Sequence, residues 1–449
     1  MFGTDGIRGT VNSFPMTAEI ALRFGMAAGI YLRTHHIHDY RYRAIIAKDT
    51  RLSGYLLEPA LTAGLIAVGV DVTLVGPMPT PAVPILIKSL RADFGIMITA
   101  SHNPYHDNGF KLFRQNGQKM SEQCEAIIQD MITQNNFNDY LASPDLLGRA
   151  MRLDDAQGRY IEHVKSILPR NLSLSHFRIV LDCANGAAYK VGAAVFWELG
   201  AEVIIIGNEP NGLNINENFG SMHPNNLVQK VLQTRADLGI ALDGDADRIL
   251  LCDENGKIID GDHLIAAIAM YLKSKNTTQN CSNVALTHIS NGALFDYFAF
   301  HNIKCFKTNV GDRNIASAMR EHGCIMGGER SGHIIINNYC TTGDGLIAAL
   351  CVLSAMIENG QKASELFALF ELYPQINHNI PYFSDNPLEN QEITDKLAHI
   401  QQYYANYSQN STRIIVRKSG TENLIRVMVE SKSKEVASEA FEQIKAILG

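Results

Sequence analysis

Ala92-Asp93-Phe94-Gly95-Ile96-Met97-Ile98-Thr99-Ala100-Ser101-His102-Asn103-Pro104-Tyr105-His106-Asp107-Asn108-Gly109-Phe110-Lys111-Leu112-Phe113 is the stretch from which the fold is read. Phe94 to Ile98 is an apolar run too short for a helix and reads as a buried strand. It enters Thr99-Ala100-Ser101-His102-Asn103-Pro104, where Asn103 and Pro104 call for a loop with Ser101 at its mouth. A second turn signal, Asp107-Asn108-Gly109, sends the chain back through Phe110 to Phe113. One hydroxyl is thus offered at the end of a buried strand, flanked by His102 and Lys111, where α/β folds place their chemistry.

The pattern recurs. Arg91-Ala92-Asp93-Phe94-Gly95-Ile96 is echoed by Arg235-Ala236-Asp237-Leu238-Gly239-Ile240, which leads into Asp243-Gly244-Asp245-Ala246-Asp247-Arg248. A fainter copy, His322-Gly323-Cys324-Ile325-Met326, leads into Gly327-Gly328-Glu329-Arg330-Ser331-Gly332-His333. Three short strands ending in polar, glycine-containing loops imply three related α/β units that point their strand ends at one cleft.

Strands alternate with helices outward from this centre. A helix is expected over Thr17–Thr34 with Thr17 as its N-cap, a strand over Ala44–Ala47 entering Lys48-Asp49-Thr50-Arg51-Leu52-Ser53-Gly54, a helix to about Val68, and a strand over Asp71–Val75. The Ser121–Arg170 region reads as helical with a loop at Ala142–Leu147. Further strands are expected at Phe177–Asp182, Val203–Ile206, Leu238–Leu242 and from Val284. After about Phe367 the pattern becomes helix Gln391–Tyr404, strand Thr412–Val416, strand Leu424–Val429 and a helix from Lys434, which is α+β. The expected fold class is therefore α/β, with three similar mixed-sheet domains (1–153, 154–253 and 254–366) and a C-terminal α+β domain (367–449).

Composition narrows the function classes. A chain of 449 residues with 46% hydrophobic and 19% charged residues can bury several cores. A net charge of -7 and a pI near 6.1 give no electrostatic reason to bind nucleic acid or an anionic membrane. Eight cysteines without a Cys-x-x-Cys pair suggest neither a zinc site nor a disulfide framework. The start lacks the features of a signal peptide, and the apolar run Leu346–Ile357 is too short to span a bilayer. A reducing, cytoplasmic setting is expected.

Five groups of residues carry the chemistry. Asp243, Asp245 and Asp247 alternate along a segment read as extended, so their carboxylates share one side. Crowded carboxylates repel unless a cation holds them, and hard oxygen ligands suit Mg²⁺. Glu254 completes a partial EF-hand spacing, but Arg248 stands where that loop needs glycine, and a solvated acidic turn fits poorly after an apolar strand. Ser101 lacks a Gly-x-Ser-x-Gly elbow, which argues against a serine hydrolase. A hydroxyl facing metal-binding aspartates suits phosphoryl transfer, and phosphoserine would add an oxygen ligand. Gly3–Gly9 reads as a glycine loop closing on an anion with Arg8 supplying charge, against a merely flexible start. Asn185-Gly186, Asn291-Gly292 and Ser419-Gly420-Thr421 offer backbone N–H groups. Arg417 and Arg426 flank the last of these and suggest a phosphate clamp rather than a plain hairpin turn. His333, in Glu329-Arg330-Ser331-Gly332-His333, reads either as a general base or as a satisfied structural histidine.

Taken in this order and spacing, Phe2–Gly9, Thr99–Pro104, Asp107–Phe113, Asp243–Arg248, Glu329–His333 and Arg417–Glu422 resemble the α-D-phosphohexomutase family, and within it the bacterial glucosamine branch. The resemblance spans essentially the whole chain. It implies four domains around a central cleft and interconversion of glucosamine 6-phosphate and glucosamine 1-phosphate, an isomerase step that supplies UDP-N-acetylglucosamine and cell-wall synthesis. It implies that Ser101 is the phosphoserine, that Asp243, Asp245, Asp247 and the phosphoserine hold one Mg²⁺, and that Arg8 and Lys111 polarise the transferring phosphate. His333 would assist proton transfer. Glu329 and Ser331 would hold sugar hydroxyls, with His102 and Arg248 also in the substrate set. Arg417, Ser419, Gly420, Thr421 and Arg426 would bind the phosphate that does not react. A hexosamine or hexose 1,6-bisphosphate would act as activator.

The partners implied are a small-molecule phosphosugar, an activating kinase or autophosphorylation step at Ser101, and a second copy of the chain as a homodimer. Nucleic acid and membrane are not expected. The fourth domain is expected to swing on a hinge near residues 363–373 so that the sugar can turn over. Ala246 replaces a usual glycine, Arg330 a usual glutamine and Asn423 a common proline, and only Arg330 bears on substrate choice. The competing readings are a phosphomannomutase/phosphoglucomutase, a phosphomonoesterase and a phosphosugar sensor without turnover.

Overall fold

The computed structural model describes residues 1–3, 6–35, 40–275, 282–383, 386–405, 412–418 and 423–448. These form two compact units, one made of Met1–His288 and Lys304–Leu369, the other of Ile289–Ile303 and Phe370–Gly449.

The first unit holds three sheets built on one plan. In the seven-stranded sheet, Phe94–Ile98, Arg43–Lys48, Asp71–Pro77 and Ala150–Arg152 run parallel, and Asp107–Arg114 returns antiparallel beside Phe94–Ile98. In the five-stranded sheet, Glu202–Ile206, Arg178–Asp182 and Leu238–Leu242 are parallel, and Ile249–Asp253 returns antiparallel. In the four-stranded sheet, Lys304–Thr308, Asn283–Thr287 and Met326–Gly328 are parallel, and Ile334–Ile336 returns antiparallel. Each time, the loop between the last parallel strand and its antiparallel partner carries the site residues: 99–106, 243–248 and 329–333. The sheets are mixed, as expected for three similar α/β domains.

Burial accounts for these elements. Phe24 of helix Ala18–His35 stacks on Phe110 with ring centroids 4.8 Å apart, in a core that also holds Phe94, Ile96 and Leu112. Thr17 caps that helix by accepting from Ile20 N at 3.2 Å. Helix Gly345–Asn359, which contains the long apolar run, is buried on nearly all sides. Asp344 caps its start, accepting from Leu346 N at 3.0 Å and Ile347 N at 3.1 Å. No helix among the described residues is long and apolar enough to cross a membrane.

Several expectations are corrected. The glycine-rich start is not a free loop, since Gly6–Thr10 is a strand paired with Asp107–Arg114. Asp107-Asn108-Gly109 belongs to that second strand rather than to a turn. A side chain on Gly109 would lie 2.3 Å from the Ile7 carbonyl oxygen, so glycine serves close strand approach here. The third echo is displaced: its strand is Met326–Gly328. Cβ atoms at Gly327 and Gly328 would come within 2.3 Å of Ile315 and 2.8 Å of Ile265, because helices press on both faces. Strand Ala150–Arg152 interrupts the region read as helical.

The second unit has a three-stranded antiparallel sheet, with Leu424–Glu430 between Gln375–Pro381 and Arg413–Lys418, covered by helices Gln391–Ala405 and Lys434–Leu448. The polar strand Gln375–Pro381 was not anticipated. Helix Gly292–Phe300 also belongs to this unit: Glu430, fully buried, accepts from Gly292 N at 3.0 Å and pairs with Arg413 at 3.2 Å.

Candidate active site

Ser101 lies at the C-terminal end of its strand with φ 51°, and its Oγ donates to Asp243 Oδ2 at 2.6 Å. His102 Nδ1 is 3.4 Å from the same hydroxyl. Burial, followed by the charges of Arg248 and Arg8, lowers the His102 pKa to about 4, so this imidazole is neutral near pH 7.

The three aspartates converge through a turn rather than through alternation along an extended segment. Ala246 N donates to Asp243 O at 3.0 Å and Ala246 has φ 57°, which closes the loop. One oxygen from each carboxylate lies within 4.8 Å of the others, and all three residues are buried. Lys111 Nζ donates to Asp245 Oδ2 and Asp247 Oδ2, both at 2.8 Å. Thr80 donates to Asp245 as well.

The residues present fit a metal ion. Asp245 Oδ1 and Asp247 Oδ1 are buried without a hydrogen-bond donor, a costly state for carboxylate oxygens that a cation would relieve. Burial first, then the charges of Asp247 and Asp245, push the Asp243 carboxyl well above the usual range. Burial also opposes charge on Asp247, but Lys111, His333 and Arg248 hold that carboxyl well below the usual range. An all-oxygen donor set favours a hard divalent ion over a soft one.

The third loop joins this group. Arg248 and His333 form a backbone bridge, and Ile249 N donates to Gly332 O at 3.1 Å. Gly343 N donates to His333 Nε2 at 3.1 Å, so the neutral ring carries its proton on Nδ1, 3.7 Å from Asp247 Oδ1. Burial works against the imidazolium, but Asp247 and then Asp312 raise the His333 pKa overall. Glu329 accepts from Gly311 N at 2.8 Å, and Ser331 Oγ lies 3.4 Å from its other oxygen. Arg330 turns to Asp260 instead, with Nε at 2.9 Å and Nη2 at 2.7 Å.

The first unit therefore brings Ser101, His102, Lys111, Asp243, Asp245, Asp247, Arg248 and His333 into one contact network, with Arg8 close enough for its charge to bear on His102. In the second unit, Arg417 and Arg426 are direct cross-strand partners. Burial, then the neighbouring Arg426 charge, lowers the Arg417 pKa. Ser419, Gly420 and Thr421 lie outside the described residues. Sequence reasoning missed Arg51, Asp49, Thr80, Asn216 and Asp312. The available signal was that Asp49 and Arg51 follow a buried strand just as the other site loops do.

Models of the phosphoglucomutase/phosphomannomutase family match in chain order: alpha/beta/alpha domain I over residues 1–139, domain II over 158–256, domain III over 260–373 and the C-terminal domain over 384–447. The chain belongs to this family. A full-length relative, the phosphoglucosamine mutase of Zymomonas mobilis subsp. mobilis, is 51% identical over 99% of this chain and 97% of its own. Among solved structures, a phosphoglucomutase/phosphomannomutase family protein from Burkholderia thailandensis has a TM-score of 0.82 at 23% identity, covering 100% of this chain and 96% of that one. The Aspergillus fumigatus N-acetylphosphoglucosamine mutase, solved with GlcNAc-6P and magnesium, has a TM-score of 0.63 at 18% identity, covering 95% of this chain and 99% of that one. For a phosphoglucomutase/phosphomannomutase family member, the substrate is a phosphosugar, and the aspartate cluster is suited to hold a metal cofactor.

Proposed function

We propose that this enzyme is a phosphoglucosamine mutase, which interconverts glucosamine 6-phosphate and glucosamine 1-phosphate through a phosphorylated Ser101 and a glucosamine 1,6-bisphosphate intermediate. It would work in the cytoplasm and supply UDP-N-acetylglucosamine synthesis. The observation that carries the reading is the 2.6 Å approach of the Ser101 hydroxyl to a buried carboxylate cluster that also holds Lys111. The full-length relative at 51% identity favours the glucosamine reading over a phosphomannomutase/phosphoglucomutase.

Asp243, Asp245, Asp247 and phosphorylated Ser101 would hold one Mg²⁺, which supplies charge neutralisation and polarises the transferring phosphoryl group. In the first half-reaction the Ser101 Oγ–P bond breaks and a P–O bond forms to the free sugar hydroxyl, O1 of glucosamine 6-phosphate. That hydroxyl's proton passes to His333 Nε2 once this nitrogen gives up its bond from Gly343 N. Ser101 Oγ, released from phosphorus, takes up a proton as a free hydroxyl, and the second half-reaction returns both protons. After the bisphosphate turns over, Ser101 recovers the phosphoryl group at the other end and releases glucosamine 1-phosphate. Atoms balance over the cycle, and a hexosamine or hexose 1,6-bisphosphate can restore phosphoserine if the intermediate escapes. Lys111 and Arg8 neutralise charge on the moving phosphoryl, and positioning supplies most of the remaining acceleration.

His102, Arg248, Glu329 and Ser331 hold the sugar. Arg417 and Arg426, with Ser419, Gly420 and Thr421, grip the non-reacting phosphate. Two guanidiniums in direct cross-strand register repel each other unless an anion joins them. On this reading the chain comprises domains 1–153, 154–253, 254–366 and 367–449.

The test is a coupled assay with glucosamine 6-phosphate, glucose 6-phosphate and mannose 6-phosphate, with and without added bisphosphate. It is paired with intact-mass analysis of wild type and Ser101→Ala. Glucosamine 6-phosphate is expected to have the highest kcat/KM, and one phosphate is expected on wild type alone. Full activity of Ser101→Ala would overturn the mechanism. A higher kcat/KM for either other sugar would replace the glucosamine assignment with the phosphomannomutase/phosphoglucomutase reading.

A further inference from the structure

Lys48-Asp49-Thr50-Arg51 ends the strand beside Phe94–Ile98 and has no part in the chemistry described above. Arg51 is nevertheless among the most completely buried large side chains, with 1% of its surface exposed. Its Nε donates to Asp49 Oδ2 at 2.8 Å. Nη1 donates to the carbonyl oxygens of Pro104 and, at 3.0 Å, Asp107. Nη2 donates to the carbonyl oxygens of Ser101 at 3.0 Å and Asn103 at 2.8 Å. A guanidinium has five N–H donors, so the fork is fully used, mostly on backbone of the Ser101 loop.

The neighbouring contacts converge on the same residue. Asp49 Oδ2 also accepts from Thr99 Oγ1 at 2.7 Å, and Thr99 Oγ1 accepts from Ser101 N at 2.9 Å. Asn216, from the long loop after Glu202–Ile206, donates to the Ser101 and Asn103 carbonyls at 2.9 and 3.1 Å. Ser101 is thereby held at both its N–H and its carbonyl while in the left-handed region, φ 51°, which a serine does not favour. Releasing the carbonyl would let the residue relax toward ordinary φ and swing Oγ away from Asp243.

We propose that Arg51 is the positioning residue that holds Ser101 in its left-handed, Asp243-facing conformation, with Asn216 as the second grip on the same carbonyl. The inference rests on the reading of Ser101 as the phosphoryl carrier. An ammonium cannot reproduce a planar fork that spans four carbonyls and a carboxylate, so lysine does not substitute for arginine here.

The experiment compares Arg51→Lys, Asn216→Ala and Ser101→Ala with wild type. It measures kcat, KM, thermal midpoint and the rate of phosphoserine formation from a hexose 1,6-bisphosphate. A misplacement near 1 Å costs about 100-fold in rate, so Arg51→Lys is expected to lose about that much in kcat and in phosphorylation rate. Its KM should change far less than its kcat, because His102 alone among the sugar contacts lies on the loop that Arg51 grips and Arg248, Glu329 and Ser331 lie on other loops. Asn216→Ala should show a smaller loss with the same split and a near-native midpoint, which a purely structural role would not give. If Arg51→Lys does not fold, Asn216→Ala decides, and unchanged kcat and phosphorylation rate in that variant overturn the proposal. Wild-type kcat in a folded Arg51→Lys also overturns it. An inactive Ser101→Ala beside fully active Arg51→Lys and Asn216→Ala refutes the positioning role alone. An active Ser101→Ala refutes the phosphoserine reading and the positioning role with it.

Discussion

Lys111→Met is the most informative single change, because it separates the electrostatics of the site from its catalysis. Methionine keeps the length and the apolar stem of the side chain and removes the charge. Lys111 is 2% exposed, and its ammonium lies 2.8 Å from both Asp245 and Asp247, which are themselves buried. With so little solvent around the group, screening does not reduce the effect. Removing one partner of a buried pair leaves an uncompensated charge and costs about 3–5 kcal/mol. Here the deficit falls on carboxylates already crowded within 4.8 Å of one another.

A divalent cation replaces the lost charge, so the deficit should be largest in EDTA and should shrink in saturating Mg²⁺. The variant should also gain more from the metal than wild type does, because the metal no longer shares its ligands with an ammonium. Far-UV circular dichroism in denaturant, with and without EDTA, measures both effects, and turnover should be strongly reduced in either condition. A loss below about 1 kcal/mol in EDTA, or the same Mg²⁺-induced shift in both proteins, would refute this account of the site.

Arg417→Ala removes one of the two cross-strand guanidiniums and should cost about 1.5–3 kcal/mol of phosphate binding. That would appear as a raised KM and slower turnover in a steady-state assay, and unchanged constants would place the phosphate elsewhere. Arg330→Gln breaks a partly exposed pair with Asp260, an interaction worth at most about 1 kcal/mol. The ranking of glucosamine, glucose and mannose 6-phosphates by kcat/KM should therefore be preserved, and a reversal would show that Arg330 reads the sugar. Burial raises the Asp182 pKa to about 7 against the favourable bonds from Gly220 N and Ala184 N. The unfolded chain releases this proton near pH 4 and the folded chain near pH 7, so the stability linked to it is present at acid pH and lost as pH rises through about 7. The stability difference between wild type and Asp182→Asn should therefore change across that window, and a flat difference from about pH 4 to about pH 7 would refute the assignment.

The site was legible in the sequence where chemistry and local pattern coincide. Phe94–Ile98 and Leu238–Leu242 are continuous apolar runs bounded by polar loops, and both are strands over those same residues. Met326–Gly328 was misplaced because its glycines signal a loop in isolation. They are glycines because Ile315 and Ile265 close on the strand from either side, and packing of that kind has no local signature. Gln375–Pro381 was invisible for a related reason: only two of its seven residues are aliphatic, and it is an edge strand. Helix Gly292–Phe300 joins the C-terminal unit through Glu430, a residue far along the chain whose burial nothing nearby announces. Arg51 was overlooked because its ligands are backbone carbonyls, which the sequence does not display.

The positive-φ residues show how the site is held. Among the non-glycine residues with positive φ, Ser101, Ala184, Asn185, Asn216 and Ala246 all lie in loops that follow strands of the first two sheets. For serine and alanine this conformation costs roughly 1–2 kcal/mol each, so it persists only where other contacts hold it. Those contacts are on hand. Arg51 and Asn216 hold the Ser101 carbonyl, Gly345 N donates to the Ala246 carbonyl at 3.1 Å, and Asn216 N donates to the Ala184 carbonyl at 2.8 Å. The strained residues therefore support one another: Asn216 is itself left-handed, is fixed by Ala184, and in turn fixes Ser101. Strain concentrated in this way is what preorganisation of a phosphoryl-transfer site requires, because the nucleophile and the metal ligands must be in place before the substrate arrives. It also explains how alanine is accommodated at position 246 despite its left-handed backbone. The Ala246 loop is anchored at both ends, by Asp243 O and Gly345 N, so the methyl group costs stability without releasing a carboxylate from the cluster.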